Sequence, residues 1–152
     1  MEGLSLATNN LLMKEVQDEA RVKVILEKIQ IFDDRDLFGK GEFRFSTRVH
    51  SRNFGGQYNE FEIPAEGYLS VSDKEGRDLN VEIFEGHLID HLAIEITGAE
   101  YDTKKLKDDL TPYRRIFQGP VKHWLGSIGP SNEQIEPEIL GSWAIWYRIE
   151  EI

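Results

Sequence analysis

The stretch Gly41-Glu42-Phe43-Arg44-Phe45-Ser46-Thr47-Arg48-Val49-His50 decides the fold class. Apolar or β-branched side chains occupy every second position of its core: Phe43, Phe45, Thr47 and Val49. Because successive side chains of a strand point to opposite faces, this alternation predicts a strand with one buried face. The segment from Trp143 to Ile152 shows the same pattern, with Trp143, Ile145, Tyr147 and Ile149 on one face and Trp146, Arg148 and Glu150 on the other.

Further strand-like segments lie between turn residues along the rest of the chain. The predicted strands cover 21–32, 41–50, 57–63, 66–72, 79–84, 90–97, 113–117 and 143–152. A phase change between Leu26 and Ile29 predicts a bulge in the first strand. We therefore predict an all-β fold: an antiparallel β-sandwich of about eight strands spanning residues 21–152, preceded by a flexible or short helical arm over residues 1–20.

Composition narrows the possible functions. The 152 residues include no cysteine, so disulfides, thiolate metal sites and thiol nucleophiles are excluded. The formal charge of -10 disfavours binding to nucleic acid. No apolar run reaches the roughly 20 residues that a membrane-spanning helix needs, and the first twenty residues lack the pattern of a secretory signal. The cellular location is not predicted.

A cluster of carboxylates follows the first predicted strand. Asp33, Asp34, Asp36 and Glu42 fall within ten residues, with Gly39 and Gly41 allowing a tight turn. Their mutual repulsion favours a bound cation, and calcium takes six to eight oxygen ligands in flexible geometry. An EF-hand is excluded because counting from Asp34 places phenylalanine at positions five and twelve of the loop. The alternative is a solvated acidic loop without metal.

A second acidic segment supplies the missing ligands. Asp102, Asp108 and Asp109 follow the strand that contains Leu92, Ile94 and Ile96. The two segments share one end of a sandwich if an even number of strand crossings separates them. Five predicted strands lie between the segments, and the number becomes four if Pro64 and Gly67 only bend one continuous crossing.

These pieces resemble the calcium- and lipid-binding sandwich of the C2 domain superfamily. The matching parts are Val22-Lys23-Val24-Ile25-Leu26 leading into Asp33-Asp34-Arg35-Asp36, Leu92-Ala93-Ile94-Glu95-Ile96 leading through Asp102 to Asp108-Asp109-Leu110, and the final strand from Gly141 to Ile149. The Ser-Asp-Pro-Tyr pattern of the family is replaced by Gly39-Lys40-Gly41-Glu42-Phe43. The resemblance implies calcium as the cofactor and an anionic lipid surface as a partner, with Leu37 and Phe38 contacting the membrane.

Catalytic motifs are not evident in the sequence. His87 and His91 have a spacing that suits metal binding on a helix, but they fall at a loop entering a strand, so the spacing is attributed to chance. The predicted function is a non-enzymatic calcium-binding module that binds a partner or a membrane. The alternative is a carbohydrate- or protein-binding module, or an assembly subunit, with calcium structural or absent. That module would use aromatic residues, with Trp124 and Trp146 as the surface candidates and Tyr113, Trp143 and Tyr147 as weaker ones.

Overall fold

The computed structural model describes residues 19–32, 41–72, 75–101, 108–130 and 142–152. Ten strands are present in these ranges. They are β1 (Ala20–Ile31), β2 (Gly41–Ser51), β3 (Gln57–Ile63), β4 (Leu69–Val71), β5 (Gly76–Leu88), β6 (His91–Glu100), β7 (Asp108–Asp109), β8 (Tyr113–Gln118), β9 (Gly126–Ile128) and β10 (Trp143–Glu151). Short 3-10 turns cover Asn53–Gly55 and Val121–His123.

The strands form two antiparallel sheets that pack face to face. Sheet A has the order β5-β1-β10-β9. Sheet B has the order β3-β2-β6-β7, with β4 also pairing with β2 and β8 also pairing with β6. The predicted all-β antiparallel sandwich is therefore confirmed.

The sequence pattern explains which face each strand buries. In β2 every second side chain from Gly41 to Ser51 is buried, as the alternation predicted. In β1 the register shifts between Leu26 and Lys28 against both neighbouring strands. This bulge lets Leu26 and Ile29 both face the core, although they lie an odd number of positions, three, apart along the strand.

Aromatic residues join the two sheets across the core. The rings of Phe45 in sheet B and Trp143 in sheet A lie 5.5 Å apart, centroid to centroid. The hydroxyl oxygens of Tyr113 and Tyr147 are 2.7 Å apart in a buried hydrogen bond. The indole nitrogen of Trp143 donates to the Thr111 carbonyl oxygen at 2.9 Å. These contacts bury large aromatic side chains and give their polar atoms partners.

Three elements differ from the sequence prediction. Strand β5 continues to Leu88, beyond the predicted end at residue 84, and only Ile89 and Asp90 lie between it and β6. The residues Ser72-Asp73-Lys74-Glu75-Gly76 are typical of a hairpin turn in sequence, but β4 and β5 on either side of them lie in different sheets. Strand β9 lies between the predicted strands 113–117 and 143–152, where no strand was predicted, and it pairs with β10. Its three residues are too few to show an alternating pattern.

Candidate functional site

The ends of β2 and β6 lie side by side at one end of the sandwich. Glu100 is opposite Phe43, and the Tyr101 amide donates to the Glu42 carbonyl oxygen at 2.7 Å. This hydrogen bond joins the residue before the segment 102–107 to a residue just after the segment 33–40. We call this end of the sandwich the acidic end.

Sheet A reaches the same end. Val71 of β4 lies opposite Gly41 in sheet B, and Gly76 of β5 lies opposite Gln30 in sheet A. The ends of these two strands are close together, because the Glu75 amide donates to the Ser72 carbonyl oxygen at 3.0 Å. The last residues of β1 and the first of β2 are therefore at the acidic end together.

Strands β3 and β4 are two halves of one crossing. β3 pairs with Phe45–Ser51 of β2, and β4 pairs with Gly41–Phe43 of the same strand in the same direction. The residues 64–68 between them bend the chain without reversing it. Four crossings thus separate the end of β1 from the end of β6: β2, β3 with β4, β5 and β6. The number of crossings is even, as required for the two acidic segments to share one end, and both segments leave the sandwich at that end.

The predicted metal ligands fall into two groups. Asp33, Asp34, Asp36 and Asp102 lie outside the described residues. Glu42 and Asp109 are exposed, and Asp108 lies opposite Glu100 in the β6–β7 pairing. Among the residues that the structure describes, no three histidine or acidic side chains gather closely enough to hold a metal ion. The metal site therefore stays a prediction.

The predicted contact residues have different environments. Leu37 and Phe38 lie outside the described residues. The prediction that Trp124 is a surface aromatic is wrong. Its exposure is 8%, its ring packs against Phe117, and its indole nitrogen donates to the Gln118 carbonyl oxygen. Trp146 is half-buried on the outer face of sheet A, with the Lys28 ammonium 4.9 Å from its ring centroid.

The remaining aromatic candidates are buried, and the two histidines with metal-like spacing have different partners. Tyr113, Trp143 and Tyr147 are buried in the core. His87 contacts Glu19 through Nδ1 at 2.9 Å, whereas Nδ1 of His91 accepts from the Arg52 amide at 3.0 Å. The two imidazoles thus have separate partners.

A charged ladder crosses the outer face of sheet B. It runs from Glu60 through Arg48 and Glu95 to Arg114, with N–O distances of 3.3, 3.9 and 2.7 Å. The Tyr58 hydroxyl donates to Glu60 at 2.6 Å, and this bond lowers the pKa of Glu60 and raises the pKa of Tyr58. The alternating charges fix each other's positions.

A groove beside this ladder was not predicted from the sequence. Its lining includes Tyr68 and Tyr101, whose ring centroids are 5.1 Å apart. The two tyrosines are distant in sequence and neither belongs to an alternating pattern. The sequence gives one local indication that Tyr68 is exposed: it follows Pro64 and Gly67, which interrupt the strand.

No protein-family model matches the sequence, and no curated protein matches it. Among solved structures, the chain is similar to a C2 domain of plant extended synaptotagmin 1, with 6% identity, 87% of this chain and 93% of that chain covered, and a TM-score of 0.42. At this identity and TM-score, no residue role is carried over. Within the described ranges no helix is long and apolar enough to cross a membrane.

Proposed function

We propose that residues 21–152 form a non-enzymatic calcium-binding sandwich domain that holds metal at its acidic end. The observation that carries this proposal is the hydrogen bond between the Tyr101 amide and the Glu42 carbonyl oxygen. It joins the strand ends from which both acidic segments depart. Asp33, Asp34 and Asp36 can then meet Asp102 and Asp108, although more than sixty residues separate the two sets in sequence.

Electrostatics gives the reason for a cation. The chain carries a formal charge of -10, and five aspartates concentrate at one end of the sandwich under this proposal. Several carboxylates held together repel one another, and a divalent cation removes that repulsion. The ligands are all oxygen atoms, which suits calcium rather than zinc.

A bound calcium would also create a surface for a partner. Calcium left with open coordination positions accepts phosphate or carboxylate oxygens from a lipid headgroup or a protein. Leu37 and Phe38 lie between the predicted ligands and are the apolar residues available to enter a membrane. We propose an anionic membrane surface as the partner.

The absence of catalytic activity is part of the same proposal. Ser51 and His91 are close, but the Ser51 hydroxyl donates to the backbone oxygen of His91 at 2.7 Å rather than to its ring. This arrangement supports a structural role for the pair, because a nucleophilic serine needs a base at its hydroxyl.

Thermal unfolding with and without calcium tests the metal site. Calcium should raise the melting temperature, because a ligand that binds only the folded state at about 100 times its Kd stabilises by about 2.7 kcal/mol. The variant Asp34→Asn/Asp36→Asn should fold and lose this increase. Glu82→Gln/Glu151→Gln is the matched control, since it removes the same charge from exposed residues of β5 and β10 away from the acidic segments.

Equal ionic strength from NaCl separates binding from general screening of the negative charge. A melting temperature that calcium leaves unchanged would refute the metal site.

Co-sedimentation with phosphatidylserine vesicles, with calcium or with chelator, tests membrane binding. Sedimentation that does not depend on calcium would refute that part of the proposal alone.

A further inference from the structure

The outer face of sheet B contains an open groove of about 860 Å³. Its floor consists of small residues on β2 and β6, namely Ser46, Thr97 and Ala99. Ser46 lies opposite Thr97, and Ala99 lies opposite Arg44. The short side chains leave a depression between taller neighbours, and its volume is within the roughly 300–1,000 Å³ of small-molecule sites.

Tyrosine rings form one wall of the groove. Tyr68 follows the bend between β3 and β4 and is 49% exposed, and Tyr101 directly follows β6. Their rings are tilted by 45° to one another. Two such rings offer apolar faces beside hydroxyl groups, which suits a ligand with both C–H and O–H surfaces.

Charged residues make up much of the remaining lining, and the arginines among them are ion-paired. Arg44 forms an ion pair with Glu62 and donates to the Ala65 carbonyl oxygen at 3.2 Å. Arg48 pairs with Glu60 at 3.3 Å. Asp109 also lines the groove. The groove thus presents two guanidinium groups and three carboxylates, all on strands that hold them in place.

We propose that this groove binds a neutral saccharide. Paired guanidinium and carboxylate groups offer donors and acceptors side by side, which matches vicinal hydroxyls because each hydroxyl both donates and accepts. Sugar rings also have apolar faces that pack on tyrosine. The groove differs from the acidic end because it needs no metal ion to bind its ligand.

Charge distinguishes this ligand from the alternatives. A phosphate or sulfate group gains little attraction, because both arginines already have carboxylate partners and a third carboxylate is present. An apolar ligand would leave the charged pairs without the water that now solvates them. A neutral polyhydroxylated ligand replaces that water without adding charge.

The test uses the full chain labelled with 15N, in chelator so that calcium plays no part. Neutral hexasaccharides of glucose, N-acetylglucosamine, mannose and xylose are titrated to about 10 mM, which detects millimolar dissociation constants. One of them should shift the amides of Ser46, Thr97 and Ala99. Both Tyr68→Ala and Tyr101→Ala should weaken that binding by about tenfold or more.

Phe54→Ala is the matched control, because Phe54 is 55% exposed and lies in the connection between β2 and β3 at the other end of the sandwich. This variant should bind as the unmodified chain does. Inositol hexakisphosphate serves as the anionic probe. Three results would overturn the proposal: no saccharide shifts the groove amides, both tyrosine variants bind as before, or the anionic probe occupies the groove more tightly than any saccharide.

Discussion

His91 shows how one residue links the fold to pH. It is 7% exposed at the start of β6, and burial lowers the pKa of its imidazole, with Arg52 and His50 adding to the effect and Asp90 opposing it. Nδ1 accepts a hydrogen bond from the Arg52 amide, which requires the neutral ring at that nitrogen. His91 is therefore a buried, neutral histidine that holds the turn after β2.

We expect stability to fall in mild acid because of this residue. The lowered pKa means that the unfolded chain binds a proton more readily than the folded chain. The stabilisation is complete above the ordinary value of 6.5 and is lost as pH falls through the lower folded pKa. Its slope is at most about 1.4 kcal/mol per pH unit for one proton.

Urea unfolding from pH 7.5 to pH 5 measures this dependence. His91→Asn keeps a hydrogen-bond acceptor near the position of Nδ1 but has no titratable ring. The free energy of unfolding of this variant should therefore depend less steeply on pH. His123→Asn is the control, because this histidine is exposed in the second 3-10 turn and does not contribute to the lowered pKa of His91. An unchanged slope in His91→Asn would assign the pH dependence to other groups.

At the scale of elements, the edge strand β3 is fastened to β5 by side chains rather than by strand pairing. The Gln57 amide group donates to the His87 carbonyl oxygen at 2.6 Å and accepts from the His87 amide at 2.9 Å. Asn59 donates to the Ile83 carbonyl oxygen at 2.6 Å. These bonds connect the two sheets along one side of the sandwich.

We expect Gln57→Met to loosen this connection locally. The variant keeps the side-chain length and removes both hydrogen bonds to His87, at a cost of about 1–2 kcal/mol. Amide hydrogen exchange should accelerate at His87 while the amides in the centre of β1 stay protected. Asn59→Leu, which leaves the His87 bonds in place, is the control. Equal protection of His87 in all three proteins would contradict the role given to Gln57.

The elements also show what sequence can and cannot predict here. The alternation in β2 and β10, and the bulge in β1, follow from residues within each strand and were predicted. The break at Pro64 left the number of crossings open, because a proline ends strand pairing without indicating whether the chain reverses. Pairing of β3 and β4 with the same strand resolved it. Trp124 was misplaced because its burial depends on Phe117, a partner outside its own segment.

At the scale of the whole molecule, the two proposed sites rest on different kinds of sequence information. The acidic segments are visible as local clusters, and only their meeting at one end depends on topology. The groove has no local pattern, because Tyr68 and Tyr101 come together through the shared neighbour β2. The candidate calcium ligands are therefore visible in the sequence, whereas the position of the proposed saccharide groove depends on the fold.

The whole sandwich depends on contacts between its sheets, and one of them can be measured directly. The hydroxyls of Tyr113 and Tyr147 form a buried hydrogen bond from β8 in sheet B to β10 in sheet A. Tyr113→Phe and Tyr147→Phe each remove this bond and keep the ring, so each should lower the free energy of unfolding by about 1–3 kcal/mol. The double variant should cost less than the sum of the two, by about 0.5–1.5 kcal/mol, because the same bond is lost only once. Denaturant unfolding of the unmodified chain, the two single variants and the double variant measures this coupling energy.

Tyr58→Phe, on the exposed side of β3, is the control and should change stability little. Additive effects of the two core substitutions would show that the bond contributes nothing to holding the sheets together.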